Sequence, residues 1–209
     1  MRSTCVLLAL LALSGGCTLI PGYVEPQPTL ARSQFAADID SYRVHRVAVV
    51  PFIGKEVDEI RAQELEASFA LELAEFVPYE IVQLSSADLQ EISRAEPYRR
   101  GWYEPKTLLE IADRFHVDAI LVGTVRELWP YTPMRIATQV ELVSCETGMV
   151  AWSSSVELDA RDGRVQQALN AWFVLERDSS DAPGDEALAL LSPALFARFA
   201  TRELARSYQ

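Results

Sequence analysis

The apolar residues of this chain fall into patterns that change with position. Two short runs are apolar on both faces, as in strands buried at the centre of a sheet. They are Val47-Ala48-Val49-Val50-Pro51-Phe52, which Pro51 should end, and Ala119-Ile120-Leu121-Val122-Gly123-Thr124-Val125. Over 58–76 the spacing is helical: Leu65, Phe69, Leu73 and Phe76 make one stripe, and Arg61, Glu64, Glu66, Glu72 and Glu75 are expected on the remaining surface. A short strand is expected at 79–82 after the breaker Pro78, then a short helix at 85–94, where Ser85 and Asp88 have capping-box spacing. A polar, aromatic loop at 96–104 leads to Pro105, which suits the first turn of a helix striped by Leu108, Ile111, Ala112 and Phe115. A helix between two doubly buried strands predicts a crossover onto one sheet.

Beyond Val125 the period falls to two. Met134, Ile136, Thr138, Val140 and Leu142 alternate with Arg135, Ala137, Gln139 and Glu141; after Glu146-Thr147-Gly148, a second set follows, Val150, Trp152, Ser154, Val156 and Leu158. This predicts an antiparallel hairpin with one face toward the core. A helix near 165–175, an acidic loop at 176–186 and a last helix opened by Ser192 and Pro193 complete the chain, the last burying Phe196, Phe199, Ala200 and Leu204. The fold class is α/β: a mixed sheet with buried central strands, crossover helices, and a C-terminal antiparallel hairpin plus terminal helix. A single domain is expected over 43–209.

The first residues carry a different message. Arg2, the apolar run Val6-Leu7-Leu8-Ala9-Leu10-Leu11-Ala12 and the small residues Ser14-Gly15-Gly16 describe an export signal. Leu13-Ser14-Gly15-Gly16-Cys17 resembles a bacterial lipobox, although Ser14 stands where lipoboxes usually carry leucine and Leu13 lies one place earlier. The resemblance implies a signal over 1–16, acylation of Cys17, and a tether over 17–42 broken by Pro21, Gly22, Pro26 and Pro28. Thr18, rather than Asp, after the cysteine resembles outer-membrane-destined lipoproteins, with the domain facing the periplasm. The alternative is a soluble exported protein cleaved nearby.

Charge narrows the partners. The net charge is −11, the only lysines are Lys55 and Lys106, and no basic cluster exists, which argues against nucleic acid and against adhesion to anionic lipid. Membrane attachment then falls to acylated Cys17. Cys145 reads as a small buried hydrophobe, with a Cys17–Cys145 disulfide as the rival.

Signals for catalysis are thin. His45 and His116 lie in no metal or nucleophile motif, no Gly-x-Ser-x-Gly elbow exists, and Gly54-Lys55 lacks the rest of a phosphate loop. Asp178, Asp181, Asp185 and Glu186 lack calcium-loop spacing and read as solvated surface. No cofactor or metal is expected. The aromatic segment Trp129-Pro130-Tyr131-Thr132-Pro133-Met134 offers large contact area at low entropic cost, and Trp102-Tyr103 forms a second such segment. These five residues, Trp129, Tyr131, Met134, Trp102 and Tyr103, are candidate partner contacts; the alternative is that they cap their own core.

Three segments together resemble one family. Arg46-Val47-Ala48-Val49-Val50-Pro51-Phe52, the Val117-Asp118-Ala119 entry into the second buried strand, and the Thr147-Gly148 to Trp152 turn are similar to the CsgG-like and TolB-N-terminal-like envelope lipoproteins. The resemblance implies a periplasmic α/β domain that works by assembly: an adaptor or a homo-oligomeric ring assisting export or assembly of an envelope polymer. A curli-type secretion channel is the alternative. Such a channel needs long lipid-facing hairpins, and the connector 84–106 is charged and proline-broken.

Overall fold

Asp118 shows how the sheet is seeded. Its carboxylate accepts from the backbone N–H of His45 (2.7 Å) and Arg46 (3.0 Å), joining the starts of the two buried strands. The computed structural model describes residues 28–54, 57–90, 92, 98–99, 102–176 and 192–209. The strands are β1 (Arg32–Phe35), β2 (Arg46–Val49), β3 (Glu80–Gln83), β4 (Tyr98–Arg99), β5 (Trp102–Tyr103), β6 (Ala119–Trp129), β7 (Arg135–Ser144) and β8 (Val150–Asp159). The helices are α1 (Glu59–Ala74), α2 (Ser86–Gln90), α3 (Pro105–Phe115), α4 (Gly163–Glu176) and α5 (Pro193–Arg206). Six strands form one mixed sheet in the order β1-β8-β7-β6-β2-β3. β2 runs parallel to β3 and β6, while β6, β7, β8 and β1 pair antiparallel. The expected α/β class and hairpin are present.

Alternation along β2 and β6 sorts their side chains between two cores. Val47, Val49, Ala119, Leu121 and Val125 pack with Phe69 and Leu73 of α1 and Phe196 and Phe199 of α5. Ala48, Val50, Ile120 and Val122 pack with Leu108 and Ile111 of α3. Both strands are therefore covered on both faces, which is why they read as unbroken apolar runs. Helix starts follow local capping chemistry. The Asp58 carboxylate accepts from Ile60 N–H, the Ser192 hydroxyl from Leu195 N–H, and Ser85 and Asp88 bond reciprocally.

The structure departs from the sequence reading in several places. The tether expected to reach residue 42 ends much sooner: Arg32–Phe35 adds an edge strand to β8, so the domain begins near Thr29 rather than at 43. All four β1 side chains are exposed, so the strand is held mainly through its backbone and carries no apolar alternation. The loop expected at 96–104 contains the small β4–β5 ladder. β6 continues to Trp129 past a bulge between Val125 and Glu127. A second bulge at Leu142/Val143 breaks the alternation of the hairpin, so Val150 packs with the α3-side core while Trp152 faces α5.

Two acids expected on the surface of α1 are buried, Glu66 (7% exposed) and Glu72 (4%). Glu66 accepts from Phe52 N–H at 3.3 Å; burial pushes its pKa up, and that hydrogen bond opposes the shift. A carboxyl with a raised pKa keeps its proton to higher pH in the folded chain than in the unfolded one, so its stability contribution is lost as pH rises from about 4.5 through the raised value. Glu66→Gln is therefore expected to flatten the decline in melting temperature between pH 4.5 and 8, a change that calorimetry across that range would show. An identical pH profile in the variant would contradict this.

Candidate functional site

The sequence brings Trp129 and Tyr131 to one place through the bulge and the prolines. β6 ends at Trp129, the chain turns through Pro130 to Pro133 with a cis Thr132–Pro133 peptide, and β7 begins at Arg135. Trp129 and Tyr131 stack edge to face, with ring centroids 5.4 Å apart, and remain 48% and 62% exposed. They form one wall of a groove of about 730 Å³. Leu65 and Ser68 of α1, Phe196 and Ala197 of α5, and Met134, which is 1% exposed, also line it. That volume accommodates several apolar side chains.

The groove's chemistry is that of contact. Its two serine hydroxyls are engaged: Ser192 caps α5, and Ser68 bonds Thr201 at 2.9 Å. Arg61, Glu64 and Arg198 stand among its lining residues. Arg198 is bound to Glu72 and lies over the Trp172 ring, whereas Arg61 is exposed and has no ion-pair partner among the described residues.

The five candidate partner contacts separate. Trp129, Tyr131 and Met134 share the groove, Met134 as a core residue beneath it. Trp102 and Tyr103 form β5, in a different sheet. The other groove residues, on α1 and the start of α5, are distant in sequence and carry no shared periodic signal.

The remaining candidates are dispersed. His45 is exposed, with its Nδ1 3.7 Å from Asp118. His116 ends α3 in the left-handed region (φ 54°), its N–H bonded to Ala112 O. Cys145 is buried, and burial first, then the Asp118 charge, pushes its thiol up to about 12. Among the described residues no three His, Cys, Asp or Glu side chains converge on a metal position, and no helix is long and apolar enough to cross a membrane. Cys17, the signal, Lys55 and the acidic residues Asp178, Asp181, Asp185 and Glu186 lie outside the described residues.

The sheet face turned away from α5 is polar beyond α3. Thr124, Arg126, Gln139, Glu141, Ser153, Ser155 and Glu157 occupy the alternate positions of β6, β7 and β8, with Glu127 paired to Arg135 at 2.9 Å.

No protein-family model matches the sequence, and no curated protein does. Among solved structures, the fold is similar to the PelC dodecamer of Paraburkholderia phytofirmans, at 15% identity over 81% of this chain and 96% of that one, with a TM-score of 0.43. It is also similar to lipoprotein GNA1162 of Neisseria meningitidis, at 20% identity over 65% of this chain and 99% of that one, with a TM-score of 0.45. A third similar structure is the LpoB C-terminal domain of Escherichia coli, at 13% identity over 58% and 92%, with a TM-score of 0.38. At this level of likeness nothing is carried over from them to this chain.

Proposed function

We propose that this chain is a lipid-anchored accessory protein of the cell envelope, held at the outer membrane by acylated Cys17 and acting by binding a protein partner. The observation that carries this reading is the Trp129–Tyr131 groove, where two large, exposed, mutually stacked rings stand over an apolar floor. Rigid aromatic walls around a desolvated pocket are where binding energy concentrates. The occupant is an apolar segment of an envelope protein, with Arg61 available at the rim for a carboxylate or carbonyl. Engaged serines and dispersed histidines support binding over catalysis.

The lipobox-like segment ending in Cys17 supports the address. Against the secretion-channel alternative, β6, β7 and β8 have 11, 10 and 10 residues, long enough to span a bilayer as barrel strands. One of their faces packs against helices and the other carries Arg126, Glu141 and Glu157, so neither suits hydrocarbon.

Cys17→Ser tests the anchor. It is expected to move an intact, folded domain from the membrane to the soluble fraction, and persistence in the membrane fraction would refute the lipid-anchor reading.

A further inference from the structure

Residues 29–44 form a strap along the last helix and the sheet edge. Glu203, 1% exposed on α5, accepts from Leu30 N–H and from the Thr29 hydroxyl at 3.0 Å, and Arg206 completes its coordination at 2.8 Å. Thr29 also donates to Glu203 O at 2.9 Å. The four-residue β1 ladder follows, extended by Ala36 N–H to Ala151 O at 2.9 Å. The Phe35 ring lies edge to face on Tyr208, 5.5 Å between centroids, and Tyr208 in turn meets Trp152 and Tyr79. The strap is thus fixed to the last helix by a buried carboxylate, a ladder and an aromatic cluster.

Chain length then fixes reach. Cys17 and Thr29 are about a dozen residue steps apart, and a chain spans at most roughly 3.3–3.6 Å per residue, so Thr29 lies within about 40 Å of the anchored cysteine. A free chain to Val44 would reach about 90 Å. The groove begins on the same helix as the latch, with Phe196 about 10 Å along the axis from Glu203.

We infer that the strap limits how far the domain can stand from the membrane that anchors Cys17, so that the groove engages only partner segments within about 50 Å of that membrane's surface. This rests on the lipid-anchored binder reading above. It specifies the partner class: a membrane-embedded or membrane-apposed protein that presents its apolar segment close to the same leaflet.

Two measurements test it. In the soluble Cys17→Ser chain, hydrogen exchange at the amides of Leu30 and Ala36 is expected to be slowed at least tenfold relative to a free chain; exchange at the free-chain rate overturns the inference. In the acylated chain on phospholipid vesicles carrying an acceptor dye, a fluorophore on Gln209→Cys reports height, and buried Cys145 resists labelling. A flexible insertion of about 15 residues after Thr18 roughly doubles the number of residues between Cys17 and Thr29 and is expected to lower energy transfer about two-fold. Transfer in the wild type no higher than in the insertion variant overturns the inference. A chain that fails to sediment with vesicles refutes the anchoring reading instead, and the exchange result then judges the strap by itself.

Discussion

Replacing Glu72 with alanine is expected to lower folding stability by about 3 kcal/mol. Glu72 lies on α1 with its side chain 4% exposed, and its two oxygens take Arg198 Nε at 2.8 Å and Arg202 NH1 at 2.7 Å from α5. Arg202 also reaches Glu75 at 3.0 Å and lies over the Phe76 ring, while Arg198 lies over Trp172. Removing the carboxylate leaves two neighbouring guanidiniums of α5 without the buried acid of α1 that they share. Both reach solvent, so the loss sits at the low end of the range for breaking a buried pair. Urea denaturation would measure it, with a fall in melting temperature of about 6–12 °C for a domain of this size. Glu72→Gln keeps the shape and one of the two acceptor oxygens without the charge and should lose less. A loss below about 0.5 kcal/mol in Glu72→Ala would mean that α1 and α5 are held by their apolar contacts alone.

Gly123→Ala is expected to cost a similar amount, about 3 kcal/mol, for a steric reason. A Cβ at this position would lie 2.3 Å from atoms of the Phe52 ring, which sits against the β6 backbone and packs on Phe69 with centroids 5.8 Å apart. Phe52 is buried, so its ring has no solvent to move into. The same ring lies beside the turn after β2, where Ile53 donates its N–H to Gly123 O and accepts from Val125 N–H of β6. Combining Gly123→Ala with Phe52→Leu should restore part of the loss, because the two positions compete for one space. Strict additivity in that double variant would remove close packing as the cause.

These two positions mark where sequence reading works and where it stops. Val47 to Val50 and Ala119 to Val122 are apolar on both faces because both faces are covered, so the centre of the sheet was legible. So were the Ser85–Asp88 cap and the single stripe of α3. Glu66, Glu72 and Glu203 were not: each is an acid at a helical position that composition assigns to solvent, and each is buried because a partner far along the chain meets it. Arg32 to Phe35 escaped because a short exposed strand at a sheet edge, held by its ladder and the one ring of Phe35, shows no apolar alternation. Trp129 and Tyr131 were legible as an aromatic segment. The groove they wall was not, since Leu65 and Phe196 reach it from helices whose spacing reports only the core.

The central claim is that the groove holds a partner, and photo-crosslinking from position 131 of the full, anchored chain in cells tests it most directly. A photoreactive residue replacing Tyr131 is expected to give a discrete adduct with a second protein. Trp129→Ala in the same chain should reduce that adduct at least tenfold, with the melting temperature unchanged. The same residue placed at Leu71, an exposed apolar position on α1 outside the groove, supplies the background. The account predicts an adduct at 131 that depends on Trp129 and is absent at 71. Equal labelling at the two positions, or an adduct indifferent to Trp129, would contradict it.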